Sequence, residues 1–367
     1  MDFSRYGETV AVSNSLRSYL NLETYHRTDS DVDQWLKEKD IHRIAVLLVD
    51  ALGTSVLKKH LNDDSFLLSH MYKSITPVFP PTTSASTTSI RTGKMPCETG
   101  WLGWNQYFKE KDDNIILFLN RSQYGNQEYP GFSYKALPVR FTEDELGEQG
   151  DSIWPGWAEK NACSTYEDMW KKIIETDRNE SKKYVYAYWD QLDTLMHREG
   201  PSSKKTNVYV KQLDIITEKY ASQLSEHTGL IILADHSQVD VHAENIRKHT
   251  ELCSCFRHLP ALEPRTAAFY IKEEKKDFFA KEFLRLYGND FDLYTKEEVI
   301  DKQIFGTGKI HPRFEEFIGD YLAIAKGRVS FLYGSDREVK GDHAGGSEEE
   351  AMIPLILYVN KEKKAYE

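Results

Sequence analysis

The stretch LIILADHSQVDVH, residues 230–242, poses the question that decides the fold. An apolar run that reads as a buried strand ends in Asp235 and His236, side by side. A turn needs only one such residue. Two polar side chains closing an apolar strand are costly without partners, and a divalent metal is a partner both can share. The reading therefore depends on what the other strand ends supply.

RIAVLLVD (43–50), KYVYAYWD (183–190) and IPLILYVN (353–360) are further apolar runs rich in β-branched and aromatic residues, as in strands buried on both faces. Between them lie helical patterns. STYEDMWKKIIET (164–176) carries Ser164 and Glu167 at capping-box spacing. NVYVKQLDIITEKYASQLSEH (207–227) places Val210, Leu213, Ile216, Tyr220 and Leu224 on one helical face. Alternating strand and helix predicts an α/β fold, a sheet covered by helices on both faces. Ligands of such sheets sit beyond the carboxyl ends of the strands. There the chain places Asp50, the QLDTLMH segment (191–197) and the Asp235-His236 pair.

Residues 1–367 are read as a single catalytic domain, with an inserted lid or cap at about 245–338. That segment differs in texture, with a Lys/Glu-rich helix in EEKKDFFAKEFLRLYG (273–288) and a second helix expected in HPRFEEFIGDYLAIA (311–325). The net charge of −11, from 58 acids against 47 bases, argues against nucleic acid polymers and anionic membranes as partners. It leaves small phosphorylated substrates open. No basic, apolar leader opens the sequence, and no stretch is long and apolar enough to span a bilayer. Four cysteines do not make a disulfide framework, so a soluble, cytoplasmic setting is expected. Nothing in the sequence sets an oligomeric state.

Asp193 and His197 stand four apart and share a face if their turn is helical. His343 lies in GDHAGG (341–346), where small residues let backbone pass close to a ligand. With Asp50, Asp235 and His236 this makes three Asp and three His, a mixed oxygen and imidazole set suited to zinc, manganese or iron. FPPTTSASTTSIRTG (79–93) leads towards a helix start, and a hydroxyl there is either an attacking group or an ordinary cap. HTELCSCFRH (249–258) tempts as a zinc site, but its Cys253-x-Cys255 spacing is tight and a core-facing or solvated thiol pair is expected. His242 is read as a loop residue.

Five stretches in order, LLVDALG, FPPTTSASTTSIRTGKMPCETGWLGW, WDQLDTLMHREGP, ILADHSQ and GDHAGG, resemble the alkaline phosphatase superfamily, and most closely its type I phosphodiesterase/nucleotide pyrophosphatase branch. The resemblance implies a three-layer α/β/α sandwich of alkaline phosphatase type and two divalent metals, zinc or alternatively manganese. Asp50, Asp235 and His236 would hold one metal together with the nucleophile, and Asp193, His197 and His343 the other. Counting nine residues back from Thr92 of the TG pair makes Thr83 the nucleophile, with Thr82 the close competitor. The implied chemistry is a phospho-threonine intermediate that water then hydrolyses.

The sequence departs from the family pattern in two places. Thr99-Gly100 stands where relatives often carry His-Gly, and Trp104 falls where an oxyanion-binding Asn is expected by count, with Asn105 one further on. Asn105 is taken for the oxyanion contact. The sulfatase signature is absent. Trp101, Trp104 and Tyr107 in GWLGWNQYF (100–108), with the WPGW loop (154–157), are candidates for a pocket wall. The expected function is a phosphodiesterase or nucleotide pyrophosphatase acting on a small phosphorylated substrate, including nucleotides. The alternatives are a phosphomonoesterase, for which Lys94 or Arg91 would supply an extra cation, a phosphonate hydrolase or phosphotransferase, and a metal-binding or partner-binding scaffold without turnover.

Overall fold

Six consecutive apolar residues, Ile44 to Val49, leave the strand Arg43–Val49 no solvent face, so it must lie at the centre of a sheet. The computed structural model, which describes residues 1–158, 161–333 and 339–360, puts it there. It pairs in parallel with Tyr184–Trp189 on one side and Thr228–Leu233 on the other. Gly150–Pro155 and Ala162–Cys163 extend the sheet in parallel beyond Tyr184–Trp189. On the other flank Ile353–Tyr358 is antiparallel to both Thr228–Leu233 and Met71–Ile75. It is the one reversed strand of the seven-stranded sheet, so the other six point their carboxyl ends to one edge.

Helices cover both faces in two groups. Glu8–Tyr19, Ser30–Glu38 and Thr83–Thr92 pack together, and Tyr166–Asp177 and Lys204–Ala221 pack together. Along Lys204–Ala221, Val210, Leu213 and Tyr220 are buried as their spacing requires, Ile216 is half-buried and Leu224 is buried just past the helix end. The helix at Tyr166–Asp177 starts one residue later than the sequence pattern indicated. Thr165, not Ser164, is the cap, and its side chain accepts from the backbone of Asp168 rather than pairing with Glu167.

A second seven-stranded sheet stands beyond the carboxyl edge. It is built from Asn105–Phe108, Asp113–Ile116 and Arg121–Ser122 together with Phe256–Leu262, Thr266–Ile271, Phe291–Thr295 and Tyr321–Ala325. Strands from within 256–325 thus share a sheet with strands from within 105–122. Lys276–Tyr287 is helical as expected, burying Phe279, Phe283 and Tyr287. The helix expected over 311–325 is only the turn Phe314–Phe317. Gly319 at φ +68 stops it, and Tyr321–Ala325 becomes a strand between Thr266–Ile271 and Phe291–Thr295, paired on both edges. All four cysteines are free, with Cys255 in the aromatic core of this region. Exposed His242 opens a short strand, His242–Asn245. Among the described residues, no helix is long and apolar enough to cross a membrane.

Candidate active site at the strand ends

The carboxyl edge collects acids and imidazoles because each central strand ends in one. Arg43–Val49 runs into Asp50, Thr228–Leu233 into Asp235 and His236, and Tyr184–Trp189 into the helix Gln191–Glu199 that carries Asp193 and His197. Ala51 takes the left-handed φ of +61, a strained conformation for a residue with a side chain, and its N–H reaches Asp235 Oδ1 at 3.1 Å. The backbone is bent here to hold the two acids together.

Two groups of three result. Asp50, Asp235 and His236, all buried, offer ligand atoms within 4.8 Å of one another, and so do Asp193, His197 and His343. The groups adjoin, since the rings of His236 and His343 stack at 3.7 Å. Each Nδ1 faces a backbone carbonyl, of Ser237 for His236, Gly341 for His197 and Pro81 for His343. That leaves each Nε2 towards the site, as in imidazoles oriented for metal binding.

The donor set fits a cation. Asp50 Oδ1 and Asp235 Oδ2 are buried and accept no hydrogen bond. Burial, reinforced by the neighbouring Asp235 and Asp193, pushes the Asp50 carboxyl well up. Burial likewise raises Asp235 to about 6 and lowers His236 and His343 to about 4. The first group therefore crowds two acids around a neutral imidazole without a counter-charge, the deficit that a divalent ion fills. In the second group burial opposes charging, but Asp193 draws His197 up to about 10 and is itself held well below the usual carboxylate range.

Thr83 and Thr82 separate cleanly. Thr83 is the first residue of the helix Thr83–Thr92, and its Oγ1 lies 3.2 Å from His236 Nε2 and 3.5 Å from Asp50 Oδ2. Thr82 holds the N-cap position but makes no cap bond. Its hydroxyl turns away to Glu263. Glu263 also accepts from the backbone of Trp104 at 2.6 Å, and burial pushes its carboxyl up to about 8. Glu263 and Tyr188, whose hydroxyl donates to Asp50 Oδ2, were missed from sequence. Tyr188 had a faint signal, the every-second-residue tyrosines of YVYAYW. Glu263 had none.

Two cavities open on this centre, of about 500 Å³ and 320 Å³, and Thr83, Trp104, Asp193 and Thr194 line both. Asn105 faces the larger one, where its Nδ2 donates to the Leu262 carbonyl at 3.1 Å and its Oδ1 is buried without a partner. Of the three aromatic candidates in 100–108, only Trp104 lines either of these two cavities. Trp101 is fully buried, donating to the Leu137 carbonyl, and Tyr107 packs on His258 in the core of the second sheet. Trp154 and Trp157 line the smaller cavity.

Neither candidate cation reaches the site. Arg91 is buried against Glu143 and the ring of Phe141, and the Lys94 ammonium lies 4.1 Å from the ring of Tyr25. The small residues of GDHAGG serve a close approach of another kind than the one expected. A Cβ on Gly345 would stand 2.7 Å from Glu350 Oε1 and 2.8 Å from Arg265 Nη2, a buried ion pair under the loop.

Comparison with known proteins identifies the family and the fold. Residues 44–346 match the family model for type I phosphodiesterase/nucleotide pyrophosphatase. Curated proteins give no significant match. Among solved structures, an inactive form of murine ectonucleotide pyrophosphatase/phosphodiesterase 5 in complex with AMP superposes with a TM-score of 0.66 at 17% identity, covering 87% of this chain and 88% of that one. The human protein of the same name gives 0.67 at 16%, covering 86% and 87%. Phosphonoacetate hydrolase from Sinorhizobium meliloti 1021, with phosphonoformate, gives 0.61 at 14%, covering 87% and 90%.

Proposed function

The chain belongs to the type I phosphodiesterase/nucleotide pyrophosphatase family and is a hydrolase of phosphoester or diphosphate bonds, and on that premise we propose that its substrates are phosphodiesters attacked by Thr83. The observation that carries the choice of diester is the pair of cavities meeting at Thr83. A phosphorus centre held there has room for an ester group on either side. A monoester or a phosphonocarboxylate, with more charge on small groups, calls for cationic side chains, and among the described residues neither cavity is lined by Lys or Arg. The AMP complex of the murine neighbour supports a nucleotide as one product class.

Thr83 Oγ1 attacks phosphorus in line, its hydroxyl directed towards His236 Nε2 and Asp50 Oδ2. The bond from phosphorus to the ester oxygen breaks, and its electron pair leaves with that oxygen. Water then attacks the phospho-threonine, restoring the Thr83 hydroxyl and releasing a phosphomonoester. The N-terminus of the helix Thr83–Thr92 favours the negative charge that develops. Glu263 fixes the chain just before the nucleophile by holding Thr82 and the Trp104 backbone. Two divalent cations, zinc or manganese, held by Asp50, Asp235 and His236 with Thr83 and by Asp193, His197 and His343, would supply Lewis-acid charge that lowers the hydroxyl pKa and neutralises the phosphoryl group.

The test is steady-state hydrolysis of a matched aryl phosphodiester and phosphomonoester by zinc-loaded protein, with Thr83→Ala as control. A higher kcat/KM for the diester, lost in the variant, is the expected result. A preference for the monoester overturns the proposal.

A further inference from the structure

Gln238 follows His236 by two residues and is 1% exposed, yet its side chain serves the second group of ligands rather than the first. Its Nε2 donates to Asp193 Oδ1 and, at 3.2 Å, to the Asp193 backbone carbonyl. The amide can point only this way. Turned over, its oxygen would meet a carboxylate and a carbonyl, acceptors both. Its other end is closed off: Gln238 Oε1 is buried without a partner, and a Cβ on Gly341 would stand 2.6 Å from it. Gly341 opens the strand Gly341–Asp342, which pairs with Val239–Asp240 directly after Gln238. The carbonyl of Gly341 also faces His197 Nδ1 at 2.8 Å. The amide is thus wedged between the backbone that orients His197 and the carboxylate of Asp193.

The Asp193 carboxylate has two ways to hold a cation. Its Oδ2 lies 3.4 Å from His197 Nε2 and its Oδ1 3.9 Å from His343 Nε2, so both oxygens face the imidazoles. Binding through both would fill two coordination positions. Binding through one makes, with His197 and His343, a set of three ligands that leaves a fourth tetrahedral position open. The bond from Gln238 decides between them, because an oxygen already engaged by an N–H donor is the weaker ligand. A neutral amide does this without cancelling the carboxylate charge, as a lysine or arginine there would. We propose that Gln238 is a positioning residue that confines Asp193 to ligation through Oδ2. It thereby selects zinc, a four-coordinate ion suited to imidazole, over manganese, which takes more oxygen ligands. The inference rests on the two-metal reading and deepens it, since the open position is the one a phosphoryl oxygen of the substrate would take.

Gln238→Met removes the donor at nearly constant volume. Full-length wild type and variant, stripped of metal, are titrated with zinc and with manganese in competition with a chromophoric chelator. The wild type is expected to bind two equivalents of zinc. In the variant one of the two should weaken by about 10- to 100-fold for zinc, as the loss of a ligand-orienting bond gives, while manganese binding changes far less. The preference for zinc over manganese is the informative readout, because damage to the fold alone would lower both affinities alike. An equal fall for both metals, or an unchanged zinc affinity, overturns the proposal and leaves the two-metal reading standing. Fewer than two equivalents of zinc in the wild type removes that reading and the proposal with it.

A second measurement leaves residue 238 unchanged and so does not depend on the folding of that variant. In His236→Ala the first group is broken, and cobalt in place of zinc reports on Asp193, His197 and His343. Cobalt absorbs strongly in the visible when four-coordinate and more weakly as its coordination number rises. A strong band is expected. A weak one means that Asp193 chelates through both oxygens, and it overturns the proposal whether or not any diester is cleaved.

Discussion

Glu350→Gln should destabilise the whole fold and loosen the second of the two proposed metal sites, although Glu350 contacts none of the candidate ligands. Arg265 and Glu350 are both fully buried and joined by two hydrogen bonds, Nε to Oε1 at 2.7 Å and Nη2 to Oε2 at 2.8 Å. Each carboxylate oxygen accepts a further bond, Oε1 from the Gly345 backbone and Oε2 from Ser347. All four partners are donors. A glutamine in this place turns its NH2 onto one arginine N–H in either amide orientation and leaves the guanidinium charge uncompensated. Removing one partner of a buried pair costs about 3–5 kcal/mol. With an unfolding entropy of roughly 2.1 cal/mol/K per residue, a chain of 367 residues has about 0.8 kcal/mol/K, so Tm should fall by about 4–6 °C.

The pair also anchors the loop that carries His343, through Gly345, and the Glu350 carbonyl accepts from Ser237 next to His236. Zinc content should therefore fall along with Tm. Differential scanning calorimetry with metal analysis of the same samples measures both. A Tm within one degree of wild type would refute the reasoning, because it would mean that the guanidinium finds compensation the geometry does not provide.

Thr83→Ala should reduce diester turnover by about 10³-fold or more with metal content retained, whereas Thr82→Val should change turnover far less, the two compared by kcat and metal analysis. His236→Ala should lower bound zinc, and chelation of the wild type should abolish activity that added zinc or manganese restores; unchanged occupancy in the variant would remove His236 from the ligand set. Glu263 holds its proton up to about pH 8 when folded but only to its ordinary value of about 4.5 when unfolded. Between those values the unfolded chain binds fewer protons, so the stability Glu263 contributes is full below about pH 4.5 and lost as pH rises to 8. Tm measured from pH 5 to 8.5 should accordingly fall less steeply in Glu263→Gln than in wild type, and parallel curves would contradict the buried-acid assignment.

What the sequence determined by itself were the features that depend on local pattern and chain order. Runs such as RIAVLLVD and LIILAD have no polar face and are short and rich in β-branched residues, so they read as interior strands, and the residue at which each stops is set at once. Hence Asp50 and the Asp235-His236 pair could be placed at one edge without coordinates, and the four-residue step from Asp193 to His197 needed only a helical turn. Tertiary structure decided whatever depends on neighbours distant in the chain. Thr82 and Thr83 are equivalent in composition, and only Glu263, in the turn between the strands Phe256–Leu262 and Thr266–Ile271 of the second sheet, draws one hydroxyl away and leaves the other beside His236.

The same reason covers the errors. YLAIA is as apolar as a short helix face, and it became a strand because partners on both sides offered backbone hydrogen bonds. Trp101, Trp104 and Tyr107 lie within one short segment, yet of the three only Trp104 faces the two cavities at the site. Periodicity can indicate which residues share a face. It cannot indicate what that face meets, because that contact is made by side chains far apart in sequence and exists only once the chain has folded.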